Sequence, residues 1–137
     1  MKNNYLAICL LIFTSMFAQE ETGWKYIGNA KDGSDLYVKM ESLDSYTKEA
    51  WVKMTNPVTS KKTKSGKTIK SGGGYSLGYW KVKCEDKTYG ISSRMKYSSK
   101  GNVISQGEEY YDPQDERIIP DTVGEAIFKY ICNYSSE

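Results

Sequence analysis

The chain has 137 residues, of which 39% are hydrophobic and 26% charged. That balance excludes a multi-span membrane protein and a fully disordered chain, and the length fits one domain with a single core. Net charge is +2, so charge alone makes no case for nucleic acid. Histidine is absent, which removes the commonest general base, most zinc-site designs and any Ser-His-Asp triad. Twelve Tyr and three Trp stand against three Phe. Amphipathic aromatics in that excess suit a thin, half-wet sheet better than a thick aliphatic core.

Lys2 is the only charge before Glu20, and Tyr5 to Phe17 is mostly apolar. The run is about a dozen residues, too short to span a bilayer comfortably and the right size for a signal peptide's apolar region. Ser15-Met16-Phe17-Ala18-Gln19 ends it and puts a small residue before a cut after Ala18. The expected organisation is a signal peptide over 1–18 and one exported domain over 19–137. Two other readings stand beside it. One is an uncleaved N-terminal anchor. The other is a lipoprotein signal at Leu6-Ala7-Ile8-Cys9, where Ile8 is bulky and little apolar sequence precedes the cysteine.

Export changes what the cysteines mean. Cleavage removes Cys9 and leaves Cys84 and Cys132. An even count in an oxidising compartment reads as a disulfide, with two free thiols as the alternative. Closing the loop from 84 to 132 is worth about 4 kcal/mol in the chain-entropy model.

Residues 24–29 read as a strand. Lys31-Asp32-Gly33-Ser34 reads as a turn, and Leu36, Val38 and Met40 alternate in a second strand that closes a hairpin. Residues 41–47 are polar and read as irregular. A third strand covers 49–55 and ends at Asn56-Pro57. Residues 57–74 hold five lysines, Ser, Thr and three consecutive glycines, with almost nothing to bury, and read as a mobile loop. Residues 75–85 form a long strand. Its apolar phase passes from Tyr75, Leu77 and Tyr79 to Trp80, Val82 and Cys84, which suggests a bulge near Gly78-Tyr79. Tyr89 to Tyr97 alternates as a fifth strand, Ser98 to Asn102 is a hairpin loop, and Val103 to Tyr111 is a sixth strand stopped by Asp112-Pro113.

Pro120-Asp121 opens the only convincing helix, with Asp121 expected as its N-cap. Val123, Ala126, Ile127, Tyr130, Ile131 and Tyr134 fall on one broad face, extended by Phe128 and Cys132. The expected fold is α+β: an antiparallel sheet of about six strands with one C-terminal helix stapled to one face by Cys84–Cys132.

Few motifs carry chemistry. Ser65-Gly66-Lys67-Thr68 has the ending of a phosphate-binding loop, but Lys61 stands where that motif needs glycine. Lys61, Lys62, Lys64, Lys67 and Lys70 could bind a sulfated or phosphorylated polymer, a lipid headgroup or an acidic protein; the plainer account is a solvated loop. Glu108, Glu109, Asp112, Asp115 and Glu116 are an acidic stretch without calcium-loop spacing and without a second catalytic cluster. Arg94 stands alone among the strands and reads as a rim ion pair or an anion contact.

The order and spacing of several segments resemble the surface-adhesin protein E family of bacterial exported proteins. They are the Trp24-Lys25-Tyr26-Ile27-Gly28 opening, the Asp-Gly turn at 32–33, the strand around Tyr37, Trp51-Val52-Lys53, Cys84 and Arg94. Lys96-Tyr97-Ser98-Ser99-Lys100-Gly101-Asn102-Val103, Ile119-Pro120-Asp121-Thr122-Val123-Gly124-Glu125 and Cys132 follow. The resemblance implies an antiparallel sheet with a C-terminal helix disulfide-tethered to its concave face. It also implies adhesion to host matrix or serum proteins in pathogen members.

The expected function is an exported adhesin-like binding domain for an extracellular protein or an anionic polymer. The alternative is a periplasmic accessory or structural protein with no host-binding role. No enzyme activity, cofactor, metal, nucleic-acid partner or transmembrane segment after signal removal is expected. The expected location is the periplasm, the cell surface or the medium.

Overall fold

The computed structural model describes residues 23–110 and 112–135. The expected signal peptide, its cut after Ala18 and Cys9 lie outside them. In chain order the elements are β1 (Lys25–Asn29), β2 (Asp35–Leu43), β3 (Lys48–Thr55), β4 (Thr59–Lys62), β5 (Thr68–Ser71), β6 (Tyr75–Lys83), β7 (Thr88–Tyr97), β8 (Val103–Gln106), β9 (Glu116–Arg117) and α1 (Val123–Asn133). Seven strands make one sheet in the order β1-β2-β3-β6-β7-β8, with β9 also on β7, and every pairing is antiparallel. The expected α+β architecture is therefore the observed one. No described helix is long and apolar enough to cross a membrane.

Side chains alternate across a strand, so register decides which residues meet the helix. Val38, Val52 and Gly78 lie in one row, and Met40, Ala50 and Trp80 in the next. Val38, Ala50, Val52, Trp80 and Val82 form the buried face, and α1 lays Ile127 and Ile131 on it. Cys84 is bonded to Cys132 across 48 positions, with the Cα atoms 5.7 Å apart. The bridge ties the last turn of α1 to the end of β6.

The bulge sits at the expected register but in a different strand. β6 keeps one phase against β3 throughout. The extra residue is Ser92 of β7, skipped between the pairs Tyr79↔Ser93 and Trp80↔Ile91. Ser76 and Gly78 therefore share the helix side with Trp80 and Val82, while Tyr75, Leu77, Tyr79 and Lys81 point to the other side. Two small residues on the inner face make the outward aromatics look like the core phase.

Other boundaries move for local reasons. β2 runs on to Leu43 by absorbing a bulge between Met40 and Ser42. The sixth strand ends at Gln106, not Tyr111: the Gly107 N–H donates to the Arg94 carbonyl at 2.8 Å and the chain then leaves the ladder. It touches β7 again where the Tyr110 N–H donates to the Ser92 carbonyl at 2.8 Å, and then pairs as β9 with Thr88 and Tyr89. The helix is capped by Thr122, not Asp121. The Thr122 hydroxyl accepts from the Glu125 N–H at 3.2 Å, and Glu125 reaches back to accept from the Asp121 N–H at 3.0 Å. This is close to a capping box, and Asp121 takes a left-handed φ of 59° to allow it.

Segment 57–74 is not an irregular loop. β4 and β5 pair as a separate two-stranded ribbon, with Thr59↔Ser71 to Lys62↔Thr68 in register. The turn closes through the Thr63 N–H to the Lys67 carbonyl at 2.8 Å, with Gly66 at φ 80°. The ribbon buries little, and its order comes from ladder hydrogen bonds and a tight turn. At its root Gly72, Gly73 and Gly74 all take positive φ. A Cβ at Gly72 would collide with the Pro57 carbonyl oxygen, and one at Gly74 with that of Tyr97. Only glycine fits that bend.

Candidate binding surface

The helix covers one side of the sheet. The register places Tyr26, Tyr37, Trp51, Lys53, Tyr75, Tyr79 and Tyr97 on the other. Cross-strand neighbours on one face stand close enough for aromatic contact. Tyr26 and Tyr37 have ring centroids 5.4 Å apart, Trp51 and Tyr79 meet edge-on at 4.9 Å, and Tyr75 stacks on Tyr97 at 4.6 Å. The Lys53 ammonium lies 4.6 Å from the Trp24 ring centroid, 5.0 Å from Tyr37 and 5.9 Å from Tyr75. One cation thus ties together rings from the β1 approach, β2 and β6. The result is an aromatic platform across five strands, made of a Lys53-centred group and a separate Trp51–Tyr79 pair on the same face.

Polar groups fix one edge of the platform. The Tyr79 hydroxyl donates to Glu49 Oε2 at 2.7 Å, and Lys81 lies 3.8 Å from the same carboxylate. Partial burial, followed by the hydrogen bond to Glu49, pushes the Tyr79 phenol up to about 12. The phenol is therefore a fixed donor at neutral pH. Trp51, Tyr79, Ser93 and Tyr110 line a cleft of about 610 Å³ on this side. Ser93 Oγ is buried there with no hydrogen-bond partner.

The lysine ribbon stands apart from this face. All five lysines are exposed, and none makes an ion pair among the described residues. The ladder does not gather them. Lys61 faces Ile69 across the ribbon, whereas Lys62 and Lys70 occupy rows of the opposite pleat, and Lys64 and Lys67 belong to the turn. The ribbon carries a diffuse positive charge with no focused anion cradle.

Residues 24–133 match the family model described as Surface-adhesin protein E. The chain belongs to that family. No curated protein and no solved structure matches it. The matched span of this adhesin-like surface protein takes in the whole aromatic platform, the disulfide, the ribbon and α1 up to Asn133.

The remaining candidates of this surface-adhesin E domain fall in separate places. Asp115 pairs with Lys83 at 2.7 Å. Glu108, Asp112 and Glu116 line a hollow beside Arg94. Glu108 accepts from the Tyr110 hydroxyl at 2.6 Å and Glu116 from that of Tyr89 at 2.9 Å. Among the described residues no group of three or more His, Cys, Asp or Glu is placed to hold a metal ion. Arg94 forms no ion pair among the described residues, so the rim pair expected for it is not observed.

Lys48 was not legible as an important residue. Its ammonium donates to the carbonyls of Ile131, Cys132 and Tyr134 at 3.3, 2.9 and 3.0 Å. α1 has no basic residue in its last turn. A lysine from β3 therefore satisfies the carbonyls that a helix end leaves open and opposes the negative end of its dipole.

Proposed function

We propose that this protein is an exported binding module that holds an extracellular protein, of the host-matrix or serum class, through the aromatic platform on the helix-free side of its sheet. The observation that carries this is one sheet face holding Trp24, Tyr26, Tyr37, Tyr75 and Tyr97, joined by ring contacts and by Lys53, with the Trp51–Tyr79 pair beside them. Tyrosine and tryptophan give large apolar contact area at low entropic cost and keep a polar tip for the rim, which is why they dominate protein interfaces. Membership of the surface-adhesin protein E family supports an extracellular macromolecule as the partner class. The apolar leader over 5–17 supports export.

A second reading rests on a different observation. Five exposed, unpaired lysines on a projecting ribbon suit an anionic polymer. Lysine offers a hydrated point charge, so such contacts are loose and salt-sensitive. We read neither surface as an enzyme's. The chain has no histidine, and its acidic residues near Arg94 are exposed or engaged by tyrosines.

Surface display is the first requirement. Protease shaving of intact cells should remove the protein while a periplasmic marker stays whole. Full protection of the protein would favour the periplasmic accessory reading. Heparin retention of wild type and a variant with all five ribbon lysines changed to glutamine, across a salt series, tests the second reading. Equal elution removes the ribbon from it.

A further inference from the structure

The helix side of the sheet holds a feature unconnected with the aromatic platform. α1 rests chiefly on β1, β2, β3 and β6, and leaves the β7–β8 end of that face less covered. Across this part β6 presents only Ser76 and Gly78, between Val52 and Met54 of β3 and Arg94 and Lys96 of β7. The missing side-chain volume leaves a hollow of about 530 Å³. Trp80, Ile91, Val123 and Ile127 give it an apolar wall. Its size is within the range of about 300–1,000 Å³ usual for small-molecule sites.

Two exposed cations, Arg94 and Lys96, line the same hollow. Neither makes an ion pair among the described residues. Glu108, Asp112 and Glu116 of the adjoining hollow make no ion pair with Arg94. Glu116 and Glu108 accept from Tyr89 and Tyr110, and Asp112 is exposed to water. An apolar trough with two unpaired cations at one side complements a ligand with an apolar tail and an anionic head.

We propose that this hollow binds a long-chain carboxylate, its alkyl chain over Ser76 and against Ile91, Val123 and Trp80, which lies across Gly78, its carboxylate on Arg94 with Lys96 beside it. Arginine's planar fork matches the two carboxylate oxygens, and lysine adds a mobile point charge. Each methylene buried should strengthen binding about fourfold until the trough is full. The proposal does not depend on the aromatic platform or on any protein partner.

Titration calorimetry with octanoate, laurate and dodecanol below their aggregation concentrations tests it. Laurate should bind saturably at 1:1, octanoate more weakly, and dodecanol at least about tenfold more weakly than laurate. Arg94→Gln with Lys96→Gln should bring laurate down to the level of dodecanol and leave dodecanol unchanged. Ser76→Phe should fill the trough and abolish binding of both, with circular dichroism and the disulfide confirming the fold. Should Ser76→Phe fail to fold, the charge variant and the alcohol comparison decide alone. A lack of saturable laurate binding, or equal binding of laurate and dodecanol, overturns the proposal. So does laurate binding that survives the charge variant. Laurate binding should persist in a Tyr37→Ser, Trp51→Ser variant, which keeps this outcome separate from that of the protein-binding face.

Discussion

Replacing Lys48 with methionine keeps the aliphatic stem and removes the charge from the C-terminal end of α1. Three carbonyls lose their donor, those of Ile131, Cys132 and Tyr134, at present 2.9 to 3.3 Å from the ammonium. Hydrogen bonds to charged groups contribute about 1.5–3 kcal/mol, and a half-buried cation at a helix C-terminus up to about 2 kcal/mol. These describe one interaction and do not add. Water reaches part of the site, so we expect a net loss of about 2 kcal/mol, or a fall in melting temperature on the order of 6–12 °C. The disulfide holds the helix end in place, so the loss should appear as lower stability and not as a detached helix. Urea unfolding of wild type, Lys48→Met and Lys48→Arg measures it. The arginine variant should recover part of the loss. A Lys48→Met midpoint equivalent to less than about 0.5 kcal/mol would refute the capping role.

Three further expectations are independent of that one. Gly74→Ala drives a Cβ into the Tyr97 carbonyl and should cost about 3 kcal/mol or more, whereas Gly101→Ala, with equally positive φ but open space around it, should cost about 1 kcal/mol; thermal melts separate the two. Tyr79 should ionise last among the titrating phenols in an alkaline absorbance titration, and Tyr79→Phe should delete that late step. Its folded value is raised from 10.0 to about 12, so the associated stability is complete below pH 10 and is lost as pH rises toward 12. Deleting residues 60–73 and joining Thr59 to Gly74 with a short turn should leave the melting temperature within about 3 °C of wild type, because the ribbon lacks a buried side chain; a larger drop would mean that the ribbon supports the sheet.

Much of the fold was legible because most strands and the helix carry their own periodicity. Leu36-Val38-Met40, Tyr89 to Tyr97 and Val123 to Ile131 announce their elements without tertiary information. The disulfide followed from compartment and count. The reading failed where the signal is not apolar periodicity. Ser76 and Gly78 occupy inward positions without looking apolar, so the phase of β6 was misjudged and the bulge assigned to the wrong strand. The ribbon has Thr, Ser and Ile across a glycine turn, a pattern that the lysines obscured. The role of Lys48 was invisible, since its partners lie more than eighty positions away. The hollow beside Arg94 depends on register between three strands, which no single segment encodes. The tyrosine excess did point to a half-wet sheet, but composition could not say which face the rings share.

If the helix-free aromatic face is the binding surface, removing its rings should abolish binding. The most direct measurement is binding of the purified domain to immobilised extracellular matrix and serum proteins, comparing wild type, Tyr37→Ser with Trp51→Ser, and the five-lysine glutamine variant. Wild type should bind saturably, the glutamine variant should retain binding, and the ring variant should lose it by at least about tenfold while the fold persists. Equal binding by wild type and the ring variant, or loss only with the lysines, would contradict it.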